Sequence, residues 1–171
     1  MSHFNEDNTA QIPALKLLIN LGYQYLTPSE ALQLRDDRES NVLLTSILRE
    51  QLKKINTIKI GSKQAGFSDA NIERAIHSLK DIPLAEGLVN ASNQAYNLLR
   101  FGNALEQSID GDKKSHTIQY IDWEKPENNV FHITEEFSVM RTGRKDTYRP
   151  DLVLFINGIP LAIIESKSPT I

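Results

Sequence analysis

Asp151, Glu165 and Lys167 are the residues best equipped for chemistry, because they interrupt a terminal stretch, 149–167, that is otherwise largely apolar. Charged side chains are rarely buried in strands unless they are paired or bind a metal. Two carboxylates and a lysine at the ends of one hairpin supply the parts of a metal-dependent phosphodiesterase. Clustered carboxylates hold Mg²⁺, which neutralises charge developing on a scissile phosphate and lowers the pKa of its bound water. The lysine can stabilise that charge or position the attacking water. On spacing alone, Asp-x(13)-Glu-x-Lys also describes a surface ion pair at a hairpin end, a common and weakly stabilising feature. The pattern by itself leaves both readings open.

Two short apolar runs flank Asn157-Gly158, a β-hairpin turn signal. Side chains alternate faces along a strand, so Glu165 and Lys167 share a face and Ser166 points away. A two-residue loop with regular pairing sets Asp151 opposite Ile164, on the wrong face. A three-residue loop with Gly158 left-handed, or an equivalent bulge, moves Asp151 to the face of Glu165 and Lys167. An odd-length loop or an equivalent bulge is therefore expected.

Arg141, Arg144, Lys145 and Arg149 form a basic cluster just before Asp151. They could contact DNA phosphates, which makes binding salt-dependent, or they could line a solvated turn. His3, His77, His116 and His132 are scattered without metal-ligand spacing, and Gly61-Ser62-Lys63 lacks the upstream glycine of a phosphate-binding loop.

The elements that must position these residues divide by periodicity. A first helix is expected from Glu6 or Asp7 to Leu21, with Ile12, Leu15, Leu18 and Ile19 at helical spacing, Pro13 in its first turn and Gly22 as its cap. Tyr23–Leu26 reads as extended, and Thr27-Pro28-Ser29-Glu30 as the capped start of a short helix through Leu34. Glu39 to Ile55 is expected to be helical, with Leu44, Ile47, Leu48, Leu52 and Ile55 as its stripe. A short strand over Thr57–Ile60 is followed by a Ser68-capped helix to about Lys80 and a long helix from Leu84 to about Leu105. Strands are expected at Ile118–Trp123 and Val130–Met140, with turns at Pro126–Asn129 and Thr142–Asp146. Helices first and a sheet after make the class α+β.

A chain of 171 residues can form one domain with a sizeable core, and 1–171 reads as a single domain. Its 40% hydrophobic and 24% charged content argues against disorder. The absence of cysteine excludes disulfides and thiolate metal sites and fits a reducing, cytoplasmic setting. No apolar run approaches the roughly 18–20 residues that span a bilayer, so no membrane partner is expected. The net charge of −3 lacks an overall basic footprint, although a local patch can serve an enzyme. Ending at Ser168-Pro169-Thr170-Ile171, just past the lysine, the chain is expected to be part of a longer protein.

Pro150-Asp151 followed by Glu165-Ser166-Lys167 matches the PD-(D/E)xK nuclease signature. The longer string RPDLVLFINGIPLAIIESKSP resembles the N-terminal nuclease region of the R subunit of type I restriction enzymes, and the opening FNEDNTAQIPALKLLINLGYQYL resembles the start of that subunit. The resemblance implies a restriction-endonuclease-like core, with a helical N-terminal part packed on a mixed sheet. It implies Asp151 and Glu165 as Mg²⁺ ligands, the Ser166 main-chain carbonyl as a third, and Lys167 as the catalytic lysine. Related nucleases often add a glutamate from the first helix; Glu6 fits, and a helix-start charge favoured by the dipole is the alternative. The family's Gln-x-x-x-Tyr element and ATP-driven motor lie beyond Ile171, so ATP belongs only to the full-length subunit. The implied partners are double-stranded DNA and the methylation and specificity subunits. A non-catalytic DNA-binding or assembly module on a degenerate nuclease fold, and a stand-alone repair nuclease, are the rival readings. The recognised sequence and the cleavage position are not written in these residues.

Overall fold

Turn chemistry and apolar spacing set the order of elements in the computed structural model, which describes residues 11–141 and 146–166. They are α1 (Ile12–Asn20), β1 (Gln24–Leu26), α2 (Pro28–Gln33), α3 (Thr45–Ile55), β2 (Ile58–Ile60), β3 (Lys63–Ala65), α4 (Asp69–Lys80), α5 (Leu88–Phe101), β4 (Asn103–Ile109), β5 (Asp112–Ile118), β6 (Phe131–Glu135), β7 (Val139–Met140), β8 (Thr147–Tyr148), β9 (Leu152–Ile156) and β10 (Ile159–Ile164). The result is a mixed α/β structure. The described residues up to Ser46 and from Val130 onward form one compact unit, and Ile47–Asn129 form a second.

The first unit is built on a mixed sheet of order β1-β6-β9-β10. β1 runs parallel to β6, and the β6–β9 and β9–β10 pairs are antiparallel. Leu152, Val153, Phe155 and Ile133 are fully or almost fully buried, and Phe137 packs edge-on against Phe155 with ring centroids 5.3 Å apart. Buried strands of this kind read as apolar runs rather than alternations. Pro13 falls in the first turn of α1, as the fixed proline φ favours. The expected inward stripe of α1 is shallower than its spacing suggests: Leu15 and Leu18 are half-buried, whereas Ile12 and Ile19 are exposed. Thr27 closes a full capping box with Glu30 at the start of α2.

The helix expected from Glu39 begins only at Thr45. Asn41 accounts for the delay. Its amide nitrogen bonds the Thr45 hydroxyl at 2.8 Å and the Arg35 carbonyl at 3.3 Å, and its amide oxygen accepts the Leu43 N–H at 3.3 Å. Leu44 N–H then donates to the Gly158 carbonyl at 2.8 Å, across the unit rather than along a helix.

In the second unit, Leu48 and Leu52 of α3 and Ile72, Ala75 and Ile76 of α4 are buried, as their helical spacing requires. The long helix expected from Leu84 to Leu105 is shorter, Leu88–Phe101, and Leu105 lies instead in the β4–β5 hairpin. That hairpin turns at Asp110-Gly111, and Ile118–Trp123 contributes only its first residue to a strand. The strand expected over Val130–Met140 is interrupted at Glu136, whose φ of +50° bends the chain between β6 and β7.

Tyr120 is wholly buried in the second unit and donates to the Ala75 carbonyl at 2.6 Å. Burial pushes its pKa up to about 12 from 10.0, and burial together with the Glu135 carboxylate pushes Tyr25 up to about 12 as well. A phenol with a raised folded-state pKa ionises first in the unfolded chain. Its contribution is therefore intact below pH 10 and is lost as pH rises through about 12. On the alkaline side, thermal midpoints followed by circular dichroism should hold up to about pH 10 and fall steeply above it. Tyr120→Phe should blunt that fall, and an unaltered fall in the variant would contradict the linkage.

Candidate active site

The terminal hairpin closes with Asn157 at φ +52° and Gly158 at φ +81°. Two successive left-handed residues make a two-residue I′ turn, which suits the right-handed twist of paired strands. Ile156 pairs with Ile159 and Phe155 with Pro160, so the loop itself has two residues, not three. The register then shifts between Pro160 and Ala162, with Leu161 as the extra residue. Beyond the bulge Ala162 pairs with Leu154, Ile163 with Val153 and Ile164 with Leu152. Continued by one step, this register sets Glu165 opposite Asp151, on one face. The bulge takes the part that an odd-length loop would have played.

The turn is held from both sides. Asn157 is fully buried; its N–H donates to the Val130 carbonyl and its Oδ1 accepts the Val130 N–H, both at 2.9 Å. These bonds lock the end of the hairpin distant from the carboxylates, and the shift at Leu161 sets the register beyond it.

Asp151 is half-buried just before β9. Its Oδ2 accepts the Ser166 N–H at 2.6 Å, and its main-chain carbonyl accepts the Glu136 N–H at 3.1 Å. The Ser166 peptide is therefore brought against the Asp151 carboxylate. Glu165, exposed at the end of β10, accepts the Tyr148 hydroxyl on Oε1. Hydrogen bonding to Glu165 is the main cause that raises the Tyr148 pKa, and the Glu165 and Asp151 charges add to it while Arg141 opposes. Tyr148 is held by the short β7–β8 pair, opposite Val139, with the Arg141 guanidinium 5.9 Å from its ring centroid. Nothing in residue spacing singles out Tyr148, because its place depends on a two-residue strand pairing.

Each carboxylate thus has one oxygen engaged and a second without a partner among the described residues. All of these donors are hard oxygens, the set that suits Mg²⁺ or Mn²⁺. Among the described residues no three His, Asp or Glu side chains gather as a metal cluster, so Asp151 and Glu165 stand as a pair with the Ser166 peptide beside them. Glu135 does not join them. It pairs with Leu152, which places it on the opposite face of the sheet, where it accepts the Tyr25 hydroxyl at 2.6 Å and the Gln11 amide at 3.4 Å.

Of the basic cluster, Arg141 lies 3.5 Å from Asp146 and Arg149 lies 3.6 Å from Glu136, both as exposed pairs. Such pairs are weak and leave the guanidinium free to exchange partners. Arg144, Lys145, Lys167 and Glu6 lie outside the described residues.

Residues 3–171 match the family described as type I restriction enzyme R protein N terminus. The chain belongs to that family. A Methanocaldococcus jannaschii protein with the provisional description type I restriction enzyme MjaIXP endonuclease subunit is 33% identical over 171 residues, covering 96% of this chain and 15% of the relative. The HindI type I restriction enzyme endonuclease subunit of Haemophilus influenzae is 27% identical over 170 residues, again 96% of this chain and 15% of the relative. This R-protein N-terminal region therefore spans about 15% of the length of those relatives. No solved structure matches it.

Proposed function

We propose that this region is the Mg²⁺-dependent endonuclease domain of a type I restriction R subunit, with a PD-(D/E)xK core. The observation that carries the reading is the bulged register that sets Asp151 beside Glu165, with the Ser166 N–H bonded to Asp151 Oδ2. Asp151 and Glu165 would hold the cation through their open oxygens, with the Ser166 carbonyl as a further ligand. When bound, the cation supplies charge neutralisation at the scissile phosphate and an acidified water. Tyr148 holds the Glu165 carboxylate by one oxygen, and the other would be the one that meets the cation. Lys167 would stand beside the scissile phosphate, and Glu6 would add a carboxylate from the N-terminal side. Arg141, Arg144, Lys145 and Arg149 would contact flanking DNA phosphates by exchanging their carboxylate partners for the backbone. In the full subunit, cleavage of double-stranded DNA would follow ATP-driven translocation, beside methylation and specificity subunits in the cytoplasm.

Calorimetric titration with Mn²⁺ tests the site without requiring cleavage. Glu165→Gln should weaken binding by at least about tenfold, and unchanged affinity would remove Glu165 from the ligand set. Tyr148→Phe removes only the hydroxyl that orients Glu165. Groups that orient a metal ligand typically cost about 10–100-fold in affinity when lost, so a drop near the low end of that range is expected. The thermal midpoint should stay within about 1 °C, because Tyr148 is exposed and its loss opens no cavity.

A further inference from the structure

We propose that a recess in the second unit takes one unpaired nucleotide of a DNA strand, its base laid on the exposed face of Trp123 and its phosphate on Arg100. The recess has a volume of about 360 Å³ and is lined by Ile55, Arg100, Gln119, Ile121, Trp123 and neighbouring acidic residues. Trp123 is 48% exposed. Its Nε1–H donates to the Leu99 carbonyl at 2.8 Å, so the indole is already anchored and what it offers a ligand is a ring face. Stacking on an anchored ring costs little side-chain freedom, and every base has a π-face that fits it.

The Arg100 guanidinium lies 5.9 Å from the Trp123 ring centroid and has no carboxylate partner among the described residues. A base between the two needs about 6.8 Å, twice the roughly 3.4 Å stacking rise of a nucleic-acid strand. A shift of about 1 Å by an exposed arginine opens that space, and the same guanidinium can then reach a phosphate. The acidic lining offsets part of this attraction, because a hydrogen-bonded carboxylate keeps its charge. Asp122 is consumed by the Glu124 and Lys125 N–H groups at 3.1 and 2.9 Å and by the Asn128 amide at 2.7 Å. The Glu124 carboxylate in the lining is an acceptor, the complement of the exocyclic amino groups of cytosine, adenine and guanine. DNA is the natural strand for a family described by its restriction endonucleases. The lining residues all belong to the second unit, whereas Asp151 and Glu165 belong to the first, and the assignment stands or falls independently of theirs.

Trp123 is the chain's one tryptophan, so its fluorescence reports on the recess alone. The 171-residue chain is titrated with an octamer of deoxycytidylate and with an abasic octamer of equal length and charge. The cytidylate strand should quench the tryptophan and bind about tenfold more tightly than the abasic one, the scale of one base–aromatic stack. Arg100→Gln, at an exposed position, keeps the reporter and should lower the slope of log affinity against log salt by about 0.7, one phosphate contact on a single strand. By fluorescence anisotropy of a labelled octamer, Trp123→Ala should erase the advantage of the cytidylate strand. Equal binding of both octamers without quenching, or an unchanged salt slope in Arg100→Gln, would overturn the assignment. Quenching should be unchanged in Asp151→Asn, and its loss there would likewise overturn the assignment of the base to Trp123.

Discussion

Alanine at Asp151, Glu165 or Lys167 in the complete restriction enzyme should lower DNA cleavage by about two to three orders of magnitude, the scale of losing one charge contact to a transition state. ATP hydrolysis should persist under the proposed function, which assigns the ATP-driven motor to the rest of the subunit. The two carboxylates have different structural debts. Asp151 accepts the Ser166 N–H, so alanine there also leaves a half-buried donor unpaired, at a cost of about 1–3 kcal/mol. Asp151→Asn keeps an acceptor of the same shape and separates the two effects. It should fold like the parent, bind Mn²⁺ at least about tenfold more weakly and fail to cut. Glu165 is exposed and its alanine variant should cost little stability. Cleavage assays on nicked and linear products, run beside thermal melts, give both readings. Cleavage retained in all three alanine variants would place the chemistry elsewhere.

Gly102→Ala should be the most damaging small substitution in the second unit. Gly102 has φ +80° and ψ −170°, a region of backbone space that is essentially closed to residues with a side chain. An added Cβ would also sit 2.5 Å from the Ile118 carbonyl oxygen and 2.7 Å from Thr117 Cγ2. Neither contact relaxes cheaply, since the first is main chain at the end of the β4–β5 ladder. Backbone strain of about 1–3 kcal/mol and overpacking of about 1–3 kcal/mol act together, for a loss of roughly 3–5 kcal/mol in urea unfolding. A loss below about 1 kcal/mol would mean that α5 and β4 separate more easily than the contacts indicate. Gly22 is a useful control, because a Cβ there meets nothing within 4 Å and only the backbone term remains.

The errors of sequence reading have local causes at those same positions. Residues from Leu84 to Leu105 carry a helical apolar period, and glycine alone is a weak interruption. Gly87 and Gly102 end the helix because both adopt positive φ, a conformational fact that composition does not carry. Glu39–Leu44 keeps helical spacing too, but Asn41 offers the backbone and Thr45 side-chain bonds that compete with a helix. Where the competing partner is near in sequence and capping residues agree, reading succeeds: Thr27 and Ser68 both cap the helices that follow them.

From the residues alone came the hairpin turn at Asn157-Gly158, the opposite facing of Glu165 and Ser166, and Asp151 and Glu165 as the candidate carboxylates. Those follow from turn chemistry and from the two-residue strand period, which act over a few bonds. The folded chain was needed to show that Leu161 is the extra residue, that its bulge brings Asp151 and Glu165 to one face, and that Tyr148 holds one oxygen of the pair. A bulge is chosen by the competition between the fixed I′ turn at one end and the packing of Leu152, Val153 and Phe155 against their own unit. That competition is summed over contacts distant in sequence, and no local pattern of residues records its outcome.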